Sequence, residues 1–237
     1  MAIAFVQGKL ASGTSATVSS RSVTLTNPVT SGNMVCGQFA CFNPTNGLGV
    51  TVSVTDDKLN SYAVDFRGDE SNPLAEVIAH FSLPNITNGP QTITASISSG
   101  TAQYASLIAD EFSGVATSSP LDGHTFTITA STTSPMSSGN ITPSANGDLI
   151  YGSYVNFTNW GMMAGSGFVI TEQEPTPGNA SVGCEYLIQG TAAAIAATFT
   201  CTNGDNTACA VRAFKAAAVA PPAGGGSGIL GLSAAEW

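Results

Sequence analysis

Apolar and polar positions recur along this chain with a period of two, the spacing of a strand that turns one face to a core and the other to water. Val50, Val52 and Val54 fall on one side of an extended segment and Thr51, Ser53 and Thr55 on the other, which predicts a half-buried outer or edge strand. Thr17, Ser19, Arg21, Val23 and Leu25 alternate with hydroxyl residues in the same way as far as Asn27-Pro28. Two stretches are apolar on both sides. Residues 34–42 read Met-Val-Cys-Gly-Gln-Phe-Ala-Cys-Phe and are stopped by Asn43-Pro44. In residues 104–114, Leu107, Ile108, Ala109 and Phe112 run almost without interruption, and Asp110, Glu111, Ser113 and Gly114 are expected to bring that strand to solvent and a turn.

Further strands are expected over residues 2–7, 62–66, 76–83, 91–97, 124–131, 148–156, 167–172, 184–189, 196–202 and 208–215, with residues 56–60 turning the chain into a hairpin. Residues 192–197 are rich in alanine, but the flanking Gly190-Thr191 and Thr198-Phe199-Thr200 favour a strand there too. About a dozen short strands with turn signals between them and no helix predict an all-β antiparallel sandwich. One β-sandwich domain is expected over 1–215. At Ala216 the composition changes to a linker over 216–228, stiff at Pro221-Pro222 and loose at Gly224 to Gly226. An apolar tail follows over 229–237, and its Ile229, Leu230, Leu232 and Trp237 make it a candidate docking peptide for a neighbouring subunit.

Composition narrows the function. Only 9% of residues are charged, against roughly 25% in an ordinary soluble domain, so hydroxyls and amides carry the surface. The formal charge of −9 and the lack of a basic patch argue against nucleic acid as a partner. No run approaches the roughly 18 apolar residues of a membrane span. Residues 1–7 have neither the positive start nor the long apolar core of a secretory signal. The expected location is therefore a virion or an extracellular surface, reached without a signal peptide in this chain.

Five cysteines leave at least one thiol over. Cys201 and Cys209 flank a polar heptapeptide, and a hairpin tip at Asp205 would set them opposite each other, near enough for a disulfide. Cys36 and Cys41 are expected on opposite faces of one strand, with Cys184 able to pair with either. The alternative is that all five are buried thiols. The spacing lacks a Cys-x-x-Cys pair, so no zinc site is expected.

Candidate chemistry is sparse. His80 lies within a strand and His124 follows Asp122-Gly123, and no Gly-x-Ser-x-Gly elbow accompanies them. Carboxylate pairs could be drawn from Asp110, Glu111, Glu172, Glu174 and Glu185, but Asp110 and Glu111 should point to opposite faces, and Glu172 and Glu174 belong to a surface loop. No catalytic residue and no cofactor is assigned. Asp56, Asp57 and Asn60 could offer oxygens to calcium, but acidic turn residues more often cap their own backbone. Tyr154, Phe157 and Trp160 line an Asn-rich stretch that could stack on a sugar, or else fill the core.

The fragments 104–106 and 111–114, then Ser119-Pro-Leu-Asp122, Ala145-Asn-Gly-Asp-Leu-Ile-Tyr-Gly152, Ala164-Gly-Ser-Gly-Phe168, Glu185-Tyr186 and Ala210-Val-Arg-Ala-Phe-Lys215 together resemble a widespread family of β-sandwich modules. Such modules occur in bacterial surface and secreted proteins and in phage-encoded proteins. The resemblance spans roughly residues 26–215; it implies a jelly-roll-like sandwich and supplies no catalytic residues. The expected function is a non-enzymatic structural or assembly protein: a virion subunit such as a phage capsid decoration or tail protein, or a surface-filament subunit. It would contact itself or other structural subunits through its tail. The alternative is an extracellular glycan-binding adhesion module.

Overall fold

A computed structural model describes residues 2–42, 50–69, 76–99, 102–129, 134–156, 162–174, 181–200 and 207–218. Among them there is no helix, and fifteen strands carry the fold. The first eight are β1 (Ala4–Ala11), β2 (Ser20–Thr24), β3 (Met34–Phe42), β4 (Thr51–Asp56), β5 (Ser61–Asp69), β6 (Glu76–Leu83), β7 (Thr92–Ser99) and β8 (Gln103–Ser113). They form one antiparallel sheet in the order β1-β8-β3-β6-β5-β4-β7-β2.

That order is a jelly roll. The layer β1-β8-β3-β6 folds over the layer β5-β4-β7-β2, and the turn of the sheet falls at β5, where a bulge separates Val64 from Phe66. Val23, Val54 and Ile93 of one layer share a core with Phe39, Val77 and Leu107 of the other. β4 shows the strict alternation its valines predict and is half-buried; it lies inside its layer, between β5 and β7.

The second half of the chain adds a separate layer. Strands β9 (Leu121–Thr129), β11 (Asp148–Asn156), β12 (Val169–Gln173), β13 (Ser181–Gln189) and β15 (Thr207–Phe214) make a five-stranded antiparallel sheet in the order β12-β13-β11-β15-β9. It packs on the outer face of β1-β8-β3-β6, where Met34, Cys36, Ile108 and Phe112 meet Leu149, Tyr151, Val182 and Phe214. The short ribbon β10 (Met136–Ser137) and β14 (Thr198–Phe199) covers its far side, with Tyr154 and Phe199 in the third core.

This layering explains where the sequence pattern was two-sided. β3 and β8 are apolar on both faces because one face looks into the jelly roll and the other into the interlayer core. It also corrects an expectation. Asp110 and Glu111 do not carry β8 to solvent; both are fully buried, since the second sheet and the segment around Asn33 cover that end of the strand. They do point to opposite sides, Asp110 toward Tyr151 and Glu111 toward Thr30 and Asn33.

Two further corrections concern ends and bridges. Of the regular strand expected over 196–202, the described residues 196–200 hold only Thr198–Phe199 as strand, with Ile195 bridged to Ile141 beside it. Ala216 and Ala217 are still held, by a bridge to Val115 and by a hydrogen bond from Ala217 N to Gly114 O, so the folded unit outlasts residue 215. Cys36 and Cys41 do face opposite cores. Cys36 and Cys184 are buried thiols, so Cys184 bridges neither Cys36 nor Cys41.

Candidate functional site

The polar chemistry of the molecule is concentrated between its layers. Arg212 of β15 is fully buried and reaches into the jelly roll, where its Nη1 donates to Asp65 Oδ2 at 2.6 Å and its Nη2 to the carbonyls of Gly37 and Phe81 at 3.2 and 3.1 Å. The guanidinium carbon lies 5.7 Å from the ring centre of Tyr151 and 5.0 Å from that of Phe214, within cation–π range. Ser82 Oγ donates to the same Asp65 oxygen at 2.6 Å. One arginine thus ties β15 to β3, β5 and β6.

Three more ties run beside it. His80 Nε2 of β6 is hydrogen-bonded to Ser153 Oγ of β11. Gln38 Nε2 of β3 donates to the carbonyl of Tyr154 at 2.9 Å. Asp110 Oδ2 of β8 accepts from Tyr151 Oη and from Thr171 Oγ1, both at 2.7 Å. Burial pushes the Asp110 carboxyl up to about 7, against the lowering effect of those two hydroxyls. Burial, reinforced by Arg212, holds His80 well below its usual range, so its imidazole is neutral.

A serine beside a neutral histidine is the beginning of a nucleophile–base pair. His80 and Ser153 both have 0% exposure, and the layers close over them, so a substrate carbonyl has no approach in this structure. Glu185 makes a similar tie on the other face of the second sheet: its carboxylate accepts from Gly165 N and Thr198 N, pinning the ribbon side, and burial raises it to about 7.

One pocket of about 270 Å³ opens on that far face, lined by Thr127, Pro135, Met136, Ser137, Gly139, Thr207 and Cys209. Thr207 Oγ1 accepts from Asn156 Nδ2 at 2.8 Å at its edge. Among the described residues the lining offers hydroxyls and the Cys209 sulfur, and no carboxylate or ammonium. It has room and polarity for water or a small polyol.

The residues expected to bind are dispersed. Tyr154 is fully buried, its ring 5.5 Å from that of Phe199, so it belongs to the core and not to a glycan platform. Phe157 and Trp160 lie outside the described residues, as do Cys201 of the expected disulfide and the tail residues Ile229, Leu230, Leu232 and Trp237. Asp56 is occupied by its own turn: Oδ1 accepts from Lys58 N and Asn60 N, and Oδ2 from Asn60 Nδ2 and Tyr62 Oη. Asp57 Oδ1 accepts from Gln91 N, so both carboxylates of this turn hold backbone N–H groups. No group of three or more metal-ligating side chains occurs among the described residues.

The interlayer ties were not anticipated. Their signal is a polar residue inside an apolar strand, alone in Ile-Ala-His80-Phe and Ala-Val-Arg212-Ala-Phe and beside Glu111 in Leu-Ile-Ala-Asp110. In a chain with so few charges, such a residue is either exposed on an open face or sealed between two. No protein-family model and no curated protein matches the chain.

Proposed function

We propose that this protein is a non-enzymatic structural subunit, of a virion as a capsid decoration or tail protein, or of a surface filament. One observation carries the reading: the ionisable and nucleophilic groups His80, Ser153, Asp110 and Arg212 are used as bolts between two β layers and are closed to solvent. A fold that commits its scarce charges to internal rigidity is suited to holding neighbours in place. The neutral hydroxyl surface and the apolar segment 229–237 behind a Pro/Gly-rich linker point the same way.

Native mass spectrometry of the full chain and of a chain ending at residue 227 tests this. The full chain is expected to form multi-subunit species, and the shortened chain to form species of lower order with unchanged circular dichroism. Monomer from the full chain at every concentration up to about 100 μM, well above the weak end of specific association, overturns the reading.

A further inference from the structure

We propose that the β9 edge is a self-pairing contact, at which β9 of one copy adds antiparallel to β9 of a second copy and joins two five-stranded sheets into one. The proposal rests on the assembly reading above and names the surface and partner.

A sheet edge presents a row of backbone donors and acceptors, and proteins guard such rows with lysine, proline, bulges or short length. The edges of this molecule differ in that respect. β12, at one end of the second sheet, has five residues, a bulge between Ile170 and Glu172, and a carboxylate in Glu172. β1 carries Lys9 and a bulge between Phe5 and Gln7, and β2 carries Arg21. β9 is nine residues long, pairs with β15 alone among the described strands, and runs without a bulge from Gly123 to Thr129. Those seven residues, Gly-His-Thr-Phe-Thr-Ile-Thr, include no proline and no formal charge at neutral pH.

The same seven residues are nearly self-complementary. A two-fold axis at Phe126 sets Phe126 against its own copy, Thr125 against Thr127 and His124 against Ile128. Phe126 is 45% exposed at the rim of the sheet and would be covered by its copy. Hydroxyl facing hydroxyl is how this chain already joins strands: Ser22 bonds Thr94 at 2.8 Å and Thr24 bonds Thr92 at 3.1 Å across β2 and β7. In a molecule of charge −9, an uncharged strip is where two copies approach with least repulsion. The contact is isologous and therefore closes, leaving the guarded β12 at both ends of the joined sheet.

Two variants of the full chain test it. Phe126→Lys places two ammonium groups on the axis and is expected to weaken the pairing on the order of 100-fold, halving the subunit number seen by native mass spectrometry at unchanged circular dichroism. Phe126→Cys sets two thiols opposite each other at cross-strand distance, and mild oxidation is expected to convert most of the protein to a covalent dimer on a non-reducing gel. Leu59→Cys, at a position 90% exposed on the Asp57–Asn60 turn, is the control and should stay uncrosslinked. A wild-type oligomer that Phe126→Lys leaves intact, with no more crosslinking in Phe126→Cys than in the control, overturns the β9 contact and leaves the assembly reading standing. A monomeric wild-type chain overturns both.

Discussion

Arg212 has protein on every side, and most of the cost of burying its charge is offset locally: one carboxylate, two backbone carbonyls and two aromatic faces surround it, and Nε is left without a hydrogen bond. Asp110 is balanced less completely. Its Oδ2 takes two hydroxyl donors while Oδ1 is buried without a hydrogen bond, so the protonated acid is the comfortable form at and below about pH 7. The sign of the pH effect follows. A carboxyl whose folded pKa is raised binds its proton more tightly in the native state, so its stabilisation is fully present below the unfolded value near 4 and is lost as pH rises toward 7. His80 acts in the opposite sense, because its depressed pKa gives stability that is gained as pH climbs to about 6.5. Subtracting an Asp110→Asn variant removes the histidine from the comparison. Urea midpoints measured from pH 4 to 8 should show wild type losing stability relative to Asp110→Asn, by up to about 4 kcal/mol at the upper end. A constant difference across that range would mean that Asp110 is ionised in the native protein throughout. Such roles are hard to foresee because the alternation rule assigns a polar residue to water, and only the presence of a second sheet turns that side inward.

At the scale of elements, much of this architecture was legible. The strands at 34–42, 104–114 and 148–156, the hairpin around Asp56 to Asn60, and the absence of helix all follow from spacing and turn residues, and among the described residues the structure agrees. Short strands at irregular places were not legible: β10 and β14 have two residues each, too few to show a period. Nor does any pattern disclose that β1 pairs with β8 across the whole jelly roll, since register between distant strands is set by packing. That pairing depends on Gly8. It sits opposite Asp110, and a Cβ built there would fall 2.1 Å from Asp110 Oδ1. Gly8→Ala must push the carboxylate off Tyr151 and Thr171, and a loss of about 1–3 kcal/mol is expected from overpacking of this kind. In an Asp110→Ala background the same glycine change should cost at least about 1 kcal/mol less, because the clashing oxygens are gone and only the tip of the Phe5 ring, 3.2 Å from the new Cβ, has to give. Equal penalties in the two backgrounds, measured by urea titration, would show that Gly8 is required for some other reason.

The whole molecule is a stack in which the middle layer serves two cores. β1, β8, β3 and β6 pack inward against the other half of the jelly roll and outward against the second sheet. The outward face carries Met34, Cys36, Ala40, Ile78, Ile108 and Phe112, and interleaves them with His80, Gln38 and Asp110, whose partners all belong to the second sheet. Removing the second sheet would expose that apolar face to water, at about 1.5–3 kcal/mol for each large side chain uncovered, Met34, Ile78, Ile108 and Phe112 among them, while the three polar groups would exchange their internal hydrogen bonds for bonds to water. Those losses together rival the net stability of an ordinary domain of about 5–15 kcal/mol, so the jelly roll should not survive the melting of its cover. The two halves are therefore expected to unfold together. Scanning calorimetry on the reduced protein should give one endotherm, with a calorimetric enthalpy equal to the van't Hoff value. Two resolved transitions, or circular dichroism showing half the strand signal retained above the first, would mean that the layers are independent and that the polar ties between them contribute little.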